Sequence, residues 1–392
     1  MPRKEPRVLM YCQALLGIGH LVRFLNIARA LPGEVLLVYG GEPVPGLTVP
    51  SNARVWQQEP VRSDLSFQRI YSVTDPARSL PELQETRRVC LEEAFVTFQP
   101  DAFLLDTFPF SRNRFAPELT PLLKRIRKGL TKPCVVVTSV RDTLITRPDQ
   151  DRYEDRVVEK LRKYVDCVLI HSDPTWQRFN DTDTFHRTVP VPHHYTGFVA
   201  TSCLTNANSE RPADDCLRIV VQIGGGRVGK EIIRTTASAV SRIRKPAQIR
   251  AFQGAFPSED GNDSTQIGGS LQIEPFGPAY YQTLASADLL ISQCGYNSMV
   301  DVLATGIEWI TIPFGVNDEQ PRRALRLMEH GVARAVLPAF PSPDELAAGI
   351  NDLLVAPKSE GRRKFPFDLN GAHRSATLLS QLACRELPET VG

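Results

Sequence analysis

Short apolar runs recur along the chain, and each is followed by a longer segment whose apolar positions fall at helical spacing. In the first half the runs are Val8–Cys12, Val35–Tyr39, 102–105, 134–139 and Cys167–His171. They read as buried strands. Between the first two, residues 21–31 place Leu21, Phe24, Leu25 and Ala28 on one helical face. The same rhythm resumes in the second half at 217–223, 249–252, 271–274, 288–292, 309–312 and 333–337. Strands apolar on both faces, alternating with helices, predict parallel sheets covered on both sides. The fold class is therefore α/β, with two Rossmann-like, doubly wound domains.

The rhythm breaks at 201–215, a polar stretch rich in turn formers, which reads as a linker. This divides the chain into a domain at 1–200, the linker at 201–215, a second domain at 216–368, and a closing helix and tail at 369–392 that are placed to return to the first domain. Residues 254–269 read as an exposed loop of the second domain, and the closing helix is expected at about 371–385. His193-His194 has no further ligand at metal spacing and reads as a turn before the linker. No metal site is expected. Two domains suit a chain of 392 residues. The carboxyl ends of their two sheets would face each other across a crevice, the usual place for a ligand.

Composition narrows this further. A hydrophobic content of 42% and a charged content of 23% describe a water-soluble protein, and a formal charge of +2 leaves no footprint for nucleic acid. The eight cysteines are scattered without a C-x-x-C pair, which suggests reduced thiols and a cytoplasmic protein. Arg3, Lys4 and Arg7 precede an apolar run that superficially resembles a signal peptide. Gln13 interrupts it, and no small-x-small cleavage site follows. The run reads as a first buried strand. Residues 111–132 hold seven Arg or Lys against Glu118 alone. Such a run is usually a solvated helix face. It would also suit a peripheral contact with anionic lipid headgroups at the inner face of the membrane.

The chemistry concentrates in residues 291–324. A strand ends near Ser292, Gly295 permits a tight turn, and a helix begins at Tyr296–Asn297. Unpaired N–H groups and the positive dipole end at a helix start suit a diphosphate. Asn297 and Ser298 add side-chain donors there. Asp301, one helical turn deeper, can accept from ribose hydroxyls. Beyond the next strand, Asp318, Glu319 and Gln320 open another helix, from which acceptors can reach sugar hydroxyls. Two glycine-rich turns accompany this box. Gly17-Ile18-Gly19-His20 closes the first strand. Gly224-Gly225-Gly226-Arg227-Val228-Gly229-Lys230 follows the first strand of the second domain. The latter is almost a phosphate-binding G-x-x-x-x-G-K loop. However, Glu231 stands where Ser or Thr must ligate Mg²⁺, so that reading is rejected.

The pattern Cys294-Gly295-Tyr296-Asn297-Ser298, Asp301, Gly306, Pro313 and Glu319-Gln320 resembles the donor signature of GT-B glycosyltransferases. It is similar to the H-C-G-W-N-S…E…E/D-Q box of UDP-glycosyltransferases, and closer overall to the MurG-like enzymes of family 28. Gly17-Ile18-Gly19-His20 with Arg23 is similar to the G-x-G-H-x-x-R opening of the same proteins. The resemblance implies two facing Rossmann-like domains and transfer of a hexose, N-acetylglucosamine among the candidates, from a UDP-type nucleotide sugar to a hydroxyl acceptor. It implies inversion at the anomeric carbon, and an acceptor that in this family can be lipid-linked. Gly19, Gly224, Gly225, Gly226, Arg227, Gly295, Asn297 and Ser298 would line the donor diphosphate. Phe276 would lie by the nucleobase, Asp301 by the ribose, and Glu319 and Gln320 by the hexose. His20 would act as general base or as a donor to phosphate. Gln293, Asp301 in place of Glu, and Glu308 in place of Pro depart from the pattern.

Asp106 and Arg141-Asp142 each follow a strand of the first domain and can face the cleft on the acceptor side; Asp142 is the preferred residue for orienting His20 or for binding the acceptor. Helix starts and backbone N–H groups can hold a leaving diphosphate without a cation. No carboxylate pair is convincing as a Mg²⁺ site, so transfer is expected to be metal-independent, with the nucleotide sugar as substrate and no resident cofactor. A nucleotide-sugar hydrolase using His20 to activate water, or a non-catalytic nucleotide-sugar sensor, would share every one of these motifs. A dehydrogenase fits poorly, because Val22 stands where the last Gly of G-x-G-x-x-G belongs.

Overall fold

The computed structural model describes residues 5–64, 67, 69–179, 185–205, 215–225, 229–256, 271–315, 317–355 and 362–384. Its first half runs β1 (Val8–Cys12), α1 (Gly19–Ala30), β2 (Val35–Tyr39), β3 (Ala53–Gln57), β4 (Val61–Ser63), β5 (Ile70–Ser72), α2 (Leu80–Phe98), β6 (Ala102–Asp106), α3 (Ala116–Arg127), β7 (Val135–Arg141), α4 (Gln150–Tyr164), β8 (Cys167–His171) and β9 (His193–Tyr195). Seven strands form one parallel sheet in the order β3-β2-β1-β6-β7-β8-β9, and β4 and β5 pair as a hairpin beside it. The second half runs α5 (Ser202–Thr205), β10 (Leu217–Gln222), α6 (Lys230–Ala239), β11 (Ala247–Gln253), β12 (Leu271–Pro275), α7 (Pro278–Ser286), β13 (Leu289–Ser292), α8 (Tyr296–Thr305), β14 (Glu308–Thr311), α9 (Glu319–Glu329), β15 (Ala335–Val336), α10 (Pro343–Val355) and α11 (Gly371–Ala383). Six of its strands form a second parallel sheet, β12-β11-β10-β13-β14-β15.

The apolar runs are buried because helices cover both sheet faces. Every residue of β1 is buried, and its side chains alternate between two cores: Leu9 and Tyr11 join one, Val8, Met10 and Cys12 the other. The run that superficially resembles a signal peptide is thus a central strand. Gln13, which breaks it, accepts from Arg87 and donates from its Nε2 to Gln58 at 3.3 Å. No disulfide joins any two of the eight cysteines. Among the described residues no helix is long and apolar enough to cross a membrane.

One expectation needs correction. His193-His194 is not a turn but the start of β9, paired in parallel with β8 at the sheet edge. An edge strand half open to solvent needs no apolar alternation, so its sequence carried no strand signal. Most of the 201–215 linker and of the 254–269 loop lies outside the described residues.

The two domains meet along a wide junction. Tyr296, first residue of α8, donates to the His171 carbonyl at 2.9 Å and accepts from the Val199 amide at 3.1 Å. After the second sheet the chain returns beside 197–199, and α11 packs Ala372, Ala376, Leu379 and Leu382 into the core that contains Leu21, Phe24 and Leu25 of α1. Across the opening between the sheets, Arg323 of α9 makes a bidentate pair with Asp142, both bonds 2.8 Å, and neither side chain is exposed. Its Nη1 donates to the Cys294 carbonyl at 2.9 Å.

Removing one partner of such a pair leaves a buried charge uncompensated, a loss of about 3–5 kcal/mol. Arg323→Met should therefore lower the midpoint of urea denaturation strongly, and adding Asp142→Leu should recover most of the loss. A double variant no more stable than the single one would contradict this.

Candidate active site

Each sheet reverses its strand order once, between β1 and β6 and between β10 and β13. Ligands of open parallel sheets bind outside the carboxyl ends of the strands at such points. Here the two reversal points face each other around a cavity of about 250 Å³. Gly19, His20, Arg112, Arg141, Gly224, Gly225, Phe276, Gly295, Asn297, Ser298, Asp301, Glu319 and Gln320 all border it. Gly226 and Arg227 lie outside the described residues.

On the first-domain wall, the turn after β1 delivers His20 at the start of α1, and Asp106 ends β6. His20 Nδ1 is 2.7 Å from Asp106 Oδ1. The same oxygen accepts from Arg23 Nη2 at 3.0 Å, and Oδ2 accepts from the Gln13 amide at 3.3 Å. Arg112 Nη2 lies 3.1 Å from His20 Nε2. A guanidinium has only donors, so Nε2 is the acceptor and the ring proton sits on Nδ1, donated to Asp106. Burial lowers the His20 pKa to about 3; Asp106 opposes this, while Arg112 and Arg141 add to it. Burial alone would raise Asp106, but His20, Arg23 and Arg112 hold it well below the usual carboxylate range. The result is a neutral imidazole, held by a carboxylate, with its lone pair directed to the cavity side.

The expected partner of His20 was Asp142, and here the structure corrects the sequence reading. Both oxygens of Asp142 are taken by Arg323, and Asp106 holds His20 instead. Arg141 reaches across the cleft to Glu319 at 3.1 Å. Glu319 also accepts from Arg323 at 3.0 Å. Burial pushes Glu319 up, yet Arg141 and Arg323 bring it down to about 2. Gln320 Oε1 accepts from the Phe314 amide at 2.8 Å, so the loop before α9 is pinned to the first turn of that helix.

On the opposite wall, Gly225 packs against the turn after β1. A Cβ there would stand 2.3 Å from the Leu16 carbonyl oxygen and 2.4 Å from the Gly17 Cα, so only glycine allows this approach. Gly295 caps α8. The first-turn N–H groups of that helix lack intrahelical acceptors and form an anion-binding end. Asn297 Nδ2 donates to the Gly19 carbonyl at 3.2 Å, and Ser298 Oγ donates to Gln222 Oε1 at 3.1 Å. Asp301 lies one turn deeper, where Tyr280 donates to its Oδ2 at 3.0 Å. Burial raises the Asp301 pKa to about 7, with the Tyr280 hydrogen bond opposing. Phe276 also borders an adjoining cavity of about 310 Å³, shared with Val22, Leu25 and Tyr281.

Several of these groups carried no recognisable signal. Arg112 is hidden in the basic run 111–132, and Tyr280 and Gln222 sit outside the motif positions. The rest of that basic run goes elsewhere. Arg127 pairs with Asp166 and Lys132 with Asp101, residues that immediately precede β8 and β6. The carboxyl end of α3 therefore lies at the sheet edge opposite the cleft.

Comparison with known proteins agrees with this geometry. Residues 219–373 match the glycosyltransferase family 28 C-terminal domain. The chain is 26% identical over 183 residues to the UDP-N-acetylglucosamine--N-acetylmuramyl-(pentapeptide) pyrophosphoryl-undecaprenol N-acetylglucosamine transferase of Methylorubrum extorquens, covering 44% of this chain and 49% of that one. It is 27% identical over 203 residues to the zeaxanthin glucosyltransferase of Pseudescherichia vulneris, covering 50% and 46%. The chain thus spans about half the length of the curated relatives it matches. Among solved structures, the glycotransferase of kitacinnamycin aligns over 98% of this chain and 100% of its own with a TM-score of 0.59 at 16% identity. Acinetobacter baumannii MurG aligns over 97% and 99% with a TM-score of 0.50 at 14% identity. These likenesses show a shared two-domain GT-B fold.

If His20 is held as described, its imidazole should stay neutral with the proton on Nδ1 between pH 5 and 8. Nitrogen-15 NMR of labelled histidine reads this directly. A His20 titration midpoint near the ordinary value of about 6.5 would contradict the arrangement.

Proposed function

We propose that this chain, whose carboxyl-terminal domain matches that of the family 28 glycosyltransferases on a GT-B fold, transfers a hexose from a UDP-type nucleotide sugar to a hydroxyl acceptor. The observation that carries this is the His20–Asp106 pair facing the amino end of α8 across one cavity. The donor diphosphate would lie against the Gly224-Gly225 turn and the first turn of α8, with Asn297 and Ser298 beside it. N–H groups fixed in place can stabilise the charge that builds on a leaving diphosphate without reorganising, so transfer needs no cation.

His20 acts as the general base in this reading. The acceptor hydroxyl replaces the Arg112 N–H at Nε2 and gives up its proton there. Asp106 keeps the ring in the required tautomer and stabilises the imidazolium that forms. The hydroxyl oxygen bonds to the anomeric carbon as the bond to the diphosphate breaks on the opposite face, which inverts the configuration. Glu319, from the start of α9, would face the hexose together with Gln320. Asp142, held by Arg323, positions α9 rather than touching substrate.

The relatives named above act on acceptors as different as a pyrophosphoryl-undecaprenol and zeaxanthin. A lipid-linked or otherwise apolar acceptor is the corresponding proposal for this chain. A peripheral membrane contact through 111–132 draws support only from its exposed end at Lys124, Lys128 and Leu130, away from the cleft.

Incubation with UDP-sugars, with and without candidate acceptors, tests the reading; sugar released equally fast without acceptor would favour hydrolysis. His20→Ala should lower kcat by about 10²–10⁴-fold while leaving UDP affinity within a few-fold, and Asp106→Asn should lower kcat in the same direction. Equal activity of both variants and the parent would reject a base at this position. Asp301 accepts best as a carboxylate, and its pKa is raised to about 7. Affinity for UDP-N-acetylglucosamine should therefore rise from pH 6 to 8 and level off above. Calorimetry on His20→Ala without acceptor, where turnover is slowed, reads this, and a further Asp301→Asn change should flatten the profile.

A further inference from the structure

The lone pair of His20 is already occupied. Arg112 Nη2 donates to Nε2 at 3.1 Å, and both residues border the cavity. The backbone that carries this guanidinium is braced. Arg112 stands in the left-handed region with φ at 59°, which few residues other than glycine and asparagine adopt. Its carbonyl accepts from the Phe115 amide at 2.9 Å, and the preceding Ser111 amide donates to the Thr107 carbonyl at 2.9 Å. Asn113 Nδ2 donates to the Pro109 carbonyl at 3.0 Å. A residue kept in an unfavoured conformation by its neighbours points to a side chain whose direction matters. The guanidinium also has a second place to go. Its Nε is buried without a hydrogen-bond partner, and Asp106 Oδ2 stands 3.9 Å from it. That oxygen accepts the Gln13 amide and can take a further bond.

We propose that Arg112 keeps water from the base: it closes His20 Nε2 until an acceptor displaces it, so that a bound nucleotide sugar is transferred and not hydrolysed. This rests on the reading of the cleft as a sugar-transfer site with His20 as base. Arg112 is a positioning residue here, because it acts through His20. Water has a single hydrogen bond to offer Nε2. It competes with a charged donor already in place, which disfavours water by about tenfold or more. An acceptor brings binding energy from the rest of its surface and can drive the guanidinium off toward Asp106. Where water does reach Nε2, one of its protons passes to the imidazole and its oxygen bonds to the anomeric carbon. The nucleoside diphosphate departs with the electron pair of the bond that breaks, leaving free hexose.

Removing the guanidinium should therefore give an activity rather than take one away. Arg112→Met leaves Asp106 its bonds to His20, Arg23 and the Gln13 amide. With no acceptor present, this variant of the full chain should release UDP from UDP-N-acetylglucosamine about tenfold faster than the parent or more. Arg112→Lys, which restores a cationic donor, should return the rate toward that of the parent. Diethyl pyrocarbonate, which adds to the free nitrogen of a neutral imidazole, reads the same protection without a sugar donor. Peptide mass spectrometry should show His20 of Arg112→Met modified about tenfold faster. The exposed His193 and His373 should be unchanged, and the buried His171 should stay unmodified, as a folded variant requires. Unchanged modification of His20 overturns the proposal. So does faster modification with UDP release left at the parent's rate in a variant that binds UDP by calorimetry. Faster modification in chains that fail to bind UDP rejects instead the donor-site reading, and with it hydrolysis as what is guarded against, while the guarding of Nε2 stands.

Discussion

A guanidinium taken out of water needs acceptors, and Arg323 finds them on both sides of a cleft. Asp142 comes from the end of the first sheet, Glu319 from the start of the same helix, and the Cys294 carbonyl from the turn that leads into α8. Arg141 answers the charge of Glu319, so the four groups are neutral together. A cluster of this kind tolerates little displacement, because any lengthened bond exposes a buried charge. It thereby holds the carboxyl ends of β7 and α8's preceding turn at a fixed separation. The facing of His20 and the amino end of α8 follows from that separation.

The same economy of charge governs the first-domain wall. Asp106 is buried and serves His20, Arg23 and the Gln13 amide at once. One carboxylate with several donors stays ionised. The imidazole beside it stays neutral because burial and the nearby Arg112 and Arg141 outweigh the single negative charge. The neutral ring with its directed lone pair results here from desolvation rather than from any unusual residue. On the second wall the chain relies on a glycine approach at Gly225, a helix start at Tyr296, and the bracing side chains Asn297 and Ser298.

Much of the architecture was legible because central parallel strands are apolar on both faces. The runs at Val8–Cys12, Val35–Tyr39 and Cys167–His171 coincide with strands to the residue, and the turn before α8 stands where Gly295 placed it. The edge strands β3 and β9 were not legible. One of their faces meets solvent, and His193-His194 in particular lacks the apolar alternation that marks a strand. In the cleft, glycines and motif side chains announced themselves through local spacing. Partners did not: Asp142 was preferred for His20 over Asp106, although both come at the ends of first-domain strands.

The sequence by itself determined which segments become strands and helices, and which strand-end turns could meet a ligand, because burial pattern and turn chemistry are local properties. Only the tertiary structure decided which acid serves which base. Asp106 lies beside His20 because β6 adjoins β1 in the sheet, whereas Asp142 is claimed by an arginine 181 positions away. It decided likewise that Tyr280 occupies an oxygen of Asp301, and that Arg112 leaves its basic neighbours to enter the cleft. Pairings of this kind depend on distances between elements far apart in the chain, and no local pattern encodes them.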